Sequence, residues 1–124
     1  MNVELYWNPE HTKYAVLVSR GFGAGWSTWE GKELAYDKRV VEFFLKHKDD
    51  KNWMRSIDIF IESEAHEEAS EFFKSIGYTN CPYMGGFSNI HLEWVPVGKI
   101  WRMKEYDGSE SIVYQEDEDW VCFN

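Results

Sequence analysis

Asp107-Gly108 stands between two runs of alternating apolar and polar residues, and this dipeptide constrains the fold more than any other stretch of the 124-residue chain. A two-residue type I′ turn needs positive φ at both central positions, and Asp-Gly supplies them. Counting outward from the turn pairs Tyr106 with Ser109, Glu105 with Glu110, Lys104 with Ser111, Met103 with Ile112 and Trp101 with Tyr114. Trp101, Met103, Ile112 and Tyr114 then share one apolar face, and a one-residue slip would turn Ile112 and Tyr114 to solvent. The same register sets Glu105 opposite Glu110 at the exposed end. Directly opposed like charges destabilise a hairpin, so a pair at this place is expected to be solvated and to attract a cation.

The rest of the chain reads as further strands and two helices. Val3, Leu5 and Trp7 alternate with Glu4 and Tyr6, predicting a half-buried strand, and Asn8-Pro9-Glu10-His11 supplies turn chemistry. Tyr14 to Ser19 is β-branched and almost continuously apolar, which predicts a central strand covered on both faces. Leu34, Val41, Phe44 and Leu45 fall on one helical stripe, placing a first helix over about 35–48. Ile57, Ile59 and Ile61 alternate with Asp58, Phe60 and Glu62 and predict a third strand. Ser63 is an N-cap for a second helix with Ala65, Ala69, Phe72, Phe73 and Ile76 inward, closed by Gly77. Asn89 to Val95 alternates up to Pro96, and Trp120 to Phe123 reads as a short last strand. The expected fold is a single α+β domain over residues 1–124, a largely antiparallel sheet of about six strands with two helices packed on it.

Composition narrows the classes. Hydrophobic residues make up 44% of the chain and aromatic residues 18%, enough for a core built from large rings. No apolar run is long enough for a membrane span, and MNVELYWNPEH lacks the basic and apolar regions of a signal peptide, so a cytoplasmic setting is expected. Cys81 and Cys122 have no C-x-x-C partner and read as small buried hydrophobes. His11, His47, His66 and His91 show no metal-ligand spacing, so no metal and no cofactor is predicted.

Charge is unevenly placed. The net charge is −9, and residues 105–124 hold seven of the 22 acids and none of the 13 bases. Glu105, Asp107, Glu110, Glu116, Asp117, Glu118 and Asp119 therefore form a candidate partner-binding surface. Such a surface repels nucleic acid and anionic membrane and steers a protein with a basic face toward itself.

A second candidate is the glycine and tryptophan loop Gly21 to Gly31. Arg20-Gly21-Phe22-Gly23-Ala24-Gly25 matches the R-x-x-G-x-G pattern with which Gcn5-related acetyltransferases hold a pyrophosphate. Here the following helix begins about ten residues late, and the motif comes after two strands where that family places it after about four. The loop reads instead as core packing or as a ligand pocket. In the second case Arg20, Gly21, Gly23, Gly25, Trp26, Ser27, Thr28 and Trp29 combine rings, hydroxyls and open backbone suited to a nucleotide or other small molecule. A pocket requires Trp26 or Trp29 to be partly exposed beside a concavity. No nucleophile has a base recognisable beside it, so no enzyme is predicted.

Gly23-Ala24-Gly25-Trp26-Ser27-Thr28-Trp29, Tyr36-Asp37-Lys38-Arg39-Val40-Val41-Glu42, Val95-Pro96-Val97-Gly98 and Glu105-Tyr106-Asp107-Gly108-Ser109-Glu110-Ser111-Ile112 together resemble a group of small proteins carried by bacteriophages and prophage-bearing bacteria. The resemblance spans nearly the whole chain. It implies a genomic setting and supplies no catalytic residue. By analogy of size and charge, the leading expectation is a non-catalytic accessory protein, an acidic inhibitor of a host nucleic-acid-handling or defence protein, of anti-restriction or anti-CRISPR type. The alternative is a protein that sequesters a nucleotide or small molecule in the Gly/Trp loop, and an acetyltransferase-like enzyme comes third.

Overall fold

The computed structural model describes residues 3–21, 25–58, 63–79 and 87–117. Within them the order is β1 (Lys13–Ser19), α1 (Ser27–Glu30), a 3-10 turn over Lys32–Ala35, α2 (Lys38–His47), α3 (Lys51–Asp58), α4 (Glu64–Ser75), β2 (Ile90–Pro96), β3 (Trp101–Tyr106) and β4 (Ser109–Tyr114). The class is α+β, as expected. The single large sheet is not found among these residues: β1 pairs antiparallel with β2, and β3 with β4, as two separate two-stranded sheets, alongside four helices.

The two sheets and the helices form three layers around β1. Ala15 and Leu17 face Phe43, Phe44, Trp53, Ala69 and Phe73 from the helices. Val16 and Val18 face the other way, against Ala35 and the hairpin's Trp101, Met103, Ile112 and Tyr114. A strand covered on both faces has no polar side to show, which explains the unbroken apolar run at Ala15 to Val18. The hairpin register is the one counted from Asp107-Gly108, with Met103 opposite Ile112 and Trp101 opposite Tyr114. Both turn residues carry positive φ, 49° at Asp107 and 87° at Gly108.

Three expected elements differ. The strand read at Val3 to Trp7 reduces to a single bridge between Trp7 and Tyr14, because the Asn8 side chain turns the chain back by accepting from the N–H groups of Thr12 and Lys13. Ile57 is helical. Trp53 and Ile57 lie four residues apart on one face of α3, whose start is capped by the Asp50 carboxylate at 3.0 Å from Trp53 N. That helical spacing outcompetes the period-two reading of Ile57, while residues 59–62 lie outside the described residues. The first helix is broken at Tyr36, since Asp37 caps α2 by accepting from Arg39 N at 3.0 Å and leaves Leu34 in the preceding 3-10 turn. Ser63 caps α4 as read, accepting from His66 N at 3.2 Å, and Gly77 has the positive φ expected at a helix end. The strand expected at Trp120 to Phe123 and both cysteines lie outside the described residues.

Candidate functional site

The central polar feature joins the hairpin to the Gly/Trp loop. Glu110 is 2% exposed. Its Oε1 accepts from Ser19 N at 3.0 Å, and its Oε2 accepts from Trp26 N at 2.9 Å, Thr28 N at 3.0 Å and Thr28 Oγ1 at 2.6 Å. Each donor needs a partner for a local reason. Ala15 N bonds Tyr6 and Arg20 N bonds Asn89, so the antiparallel alternation turns Ser19 N toward the β1 edge that β2 does not cover. Trp26 and Thr28 stand at the start of α1, where no local side chain caps the exposed N–H groups. One carboxylate delivered from β4 satisfies all of them.

This corrects the reading of the hairpin end. Glu105 and Glu110 are opposite one another and on one face, as the register requires, but Glu110 is buried, and the exposed pair of carboxylates does not form. The donors that Glu110 meets come from residues more than 80 positions away in the chain, so nothing near the hairpin announces them. Glu105 is held as well: Oε2 accepts from Gly108 N at 2.9 Å and Oε1 from Trp29 Nε1 at 3.3 Å. Glu116 is paired with Lys99. Asp107 is exposed at the turn, next to Tyr106, which is 77% exposed. Asp117 ends a 3-10 turn, and Glu118 and Asp119 lie outside the described residues.

The loop residues divide between core and surface. Trp26, 1% exposed, is core: its ring meets Phe73 edge-on at 6.1 Å, and its Nε1 donates to Leu34 O. It therefore faces no ligand. Arg20 is paired with Glu93 across the β1–β2 sheet at 2.8 Å. Gly21 and Gly25 are required by close approach. A Cβ on Gly21 would lie 2.4 Å from Asn89 Nδ2, and one on Gly25 would lie 2.6 Å from Thr28 Oγ1 and 2.7 Å from Trp29 Cδ1. Gly23 lies outside the described residues.

Trp29 remains 50% exposed and borders a concavity, as a pocket requires. An open outer chamber of about 570 Å³ is lined by Ser27, Thr28, Trp29, Glu30, Gly31, Lys32 and Met103. A more enclosed inner chamber of about 300 Å³ lies against Ser27, Lys32, Ala35, Tyr36, Trp101, Arg102 and Met103. Ser27, Lys32 and Met103 border both, so the two form one cleft between the Gly/Trp loop and β3. Sequence reasoning found the loop side of this cleft but missed Lys32, Tyr36, Trp101 and Met103. The Tyr36 hydroxyl is held above its ordinary pKa by burial and by Glu33 and Asp37, so it stays a neutral phenol.

A second polar cluster, part buried and part exposed, ties three helices. The His47 ring of α2 stacks on Trp53 of α3 at 3.8 Å, and Glu68 of α4 accepts from Trp53 Nε1 at 2.8 Å and from Lys46 Nζ at 3.2 Å. His47 Nε2 lies 3.1 Å from Glu68 Oε1 without the alignment of a hydrogen bond. Burial holds the imidazole below its ordinary pKa against the opposing pull of Glu68. Among the described residues no group of three His, Cys, Asp or Glu side chains is placed to hold a metal ion, and no helix is long and apolar enough to cross a membrane. The chain matches no family model, no curated protein and no solved structure.

Proposed function

We propose that this protein acts by binding and not by catalysis, and that its binding site is the cleft between the Gly/Trp loop and β3, which takes a small molecule with a flat ring. The observation that carries the reading is Trp29. A half-exposed indole is held at the cleft mouth by Glu105, while its neighbour Thr28 is locked to Glu110. A ring prevented from collapsing onto the core is a preformed stacking surface, which lowers the ordering cost of binding. The non-catalytic part of the proposal is supported by the Thr28 hydroxyl, which donates to the Glu110 carboxylate, a group that is itself buried and occupied by the backbone N–H groups of Ser19, Trp26 and Thr28. The test is titration with nucleotides followed by tryptophan fluorescence, comparing the protein with Trp29→Phe. Saturable quenching that the variant loses supports the site, and an unsaturated response up to millimolar ligand overturns it.

A second reading, an acidic phage-type inhibitor docking on a basic host protein, draws on one observation, the exposure of Tyr106 beside Asp107 at the hairpin tip. An exposed tyrosine flanked by acids suits an interface anchor. Glu105, Asp107 and the acids Glu116 to Asp119 are its residues, and Glu110 no longer belongs to them. Loss of salt-sensitive host-protein binding in Tyr106→Ala and Asp107→Asn supports this reading, and unchanged binding sinks it.

A further inference from the structure

We infer that the cleft selects ligands carrying a carboxylate or phosphate beside a compact aromatic ring, the anionic group seated between Ser27 and Lys32. The inference rests on the proposed binding site and adds the chemical class of its ligand. Ser27 is 4% exposed, yet its hydroxyl has no hydrogen-bond partner among the described residues, and it borders both chambers. Among the described residues the sealed, unpartnered side-chain atoms are Ser19 Oγ and His47 Nε2, so the Ser27 oxygen is reached by solvent and opens onto the chambers, where it can donate to an anion. Lys32 is the second element. It borders both chambers and, like Lys13, Lys48, Lys51, Lys74 and Lys104 and unlike Lys38, Lys46 and Lys99, forms no ion pair among the described residues, so its place on the chamber wall is what sets it apart. An unpaired ammonium in a chain of net charge −9 is a local reversal of sign.

The inner chamber carries the argument to the ring. Its lining contains no carboxylate, and Ala35, Tyr36, Trp101 and Met103 make its walls apolar and aromatic. Trp101 is held in place, its Nε1 donating to the Tyr14 hydroxyl at 2.7 Å. A volume of about 300 Å³ lies at the small end of ligand sites and fits one ring system, not a dinucleotide. An anion at the junction of the chambers would accept from Ser27 Oγ and Lys32 Nζ together, and bonds of this charge-assisted kind are the strong ones.

The experiment measures binding by calorimetry for pairs matched in ring and differing in charge: adenosine 5′-monophosphate against adenosine, and indole-3-acetate against indole-3-acetamide. In at least one pair the anion is expected to bind about tenfold or more tightly, the worth of one hydrogen bond to a charged group. Lys32→Gln is expected to erase that preference, Lys32→Arg to keep it, and Ser27→Ala to reduce it. Lys32 is exposed, so its variants leave the core untouched, and far-UV circular dichroism with urea midpoints checks the fold of each. Equal affinity within both pairs, or a preference that survives Lys32→Gln, overturns the anion assignment while leaving the cleft reading intact. Failure of all four probes to bind overturns both.

Discussion

Thr28 Oγ1 lies 2.6 Å from Glu110 Oε2, a contact between the first turn of α1 and the first residues of β4. The hairpin therefore does more than cover the β1–β2 sheet: it supplies the cap that α1 lacks and sets the backbone from which Trp29 projects.

Glu110→Ala is expected to lower stability by about 3 kcal/mol or more, since an unsatisfied buried donor costs roughly 1–3 kcal/mol and several are orphaned together. Glu110→Gln should recover only part of this loss, because one amide cannot accept on both sides. Glu105→Gln, at an exposed position, should stay within about 0.5 kcal/mol of the parent. Urea denaturation of the three variants measures the ranking.

Gly25→Ala tests the packing of the loop from the other side. The added Cβ meets Thr28 Oγ1 and the Trp29 ring below 3.0 Å, so one of them must move, at a typical overpacking cost of about 1–3 kcal/mol. The expected signature is a shift of the Thr28 and Trp29 resonances in a heteronuclear spectrum, with helices α2 to α4 unchanged. An unperturbed Thr28 amide would contradict the geometry.

His47 makes stability depend on pH with a defined sign. Its folded pKa lies below the ordinary value because burial disfavours the imidazolium, so the unfolded chain binds the proton more readily. The stabilisation is fully present above about pH 6.5 and is lost as pH falls from there through the lower folded pKa. Glu68, held below its ordinary pKa by Lys46, Trp53 and His47 in spite of its desolvation, adds a separate loss at lower pH, below about 4.5. His47→Phe keeps a ring on Trp53 and should flatten the first window and narrow the second, which then rests on Lys46 and Trp53 alone. Thermal melts from about pH 2 to pH 8 for both proteins provide the comparison.

Trp29→Ala separates binding from folding. The ring is half exposed, so its removal should change stability by no more than about 1 kcal/mol, whereas Trp26→Ala, deep in the core, should cost about 3–5 kcal/mol. If Trp29 forms the stacking surface, ligand affinity falls in the first variant at nearly unchanged urea midpoint.

What the sequence determined by itself is whatever depends on neighbours a few residues away. Asp107-Gly108 and the flanking alternation set the hairpin register, Ser63 and Gly77 set the ends of α4, and the apolar run of β1 announced a strand covered on both faces. Short-range sterics and side-chain periodicity suffice for these. The run through Ile57 was ambiguous, because Trp53 and Ile57 satisfy a helical spacing while Ile57 and its followers satisfy a strand, and only packing against Phe43 and Phe73 decides between them. The fate of Glu110 was not legible at all. An acid next to a turn is ordinarily solvated, and this one is buried only because the fold brings Ser19, Trp26 and Thr28 to it with unpaired donors. The same tertiary placement set β3 against the loop and so made the cleft, whose walls come from segments about 70 residues apart. Local chemistry wrote the elements, and the satisfaction of buried backbone donors decided how they meet.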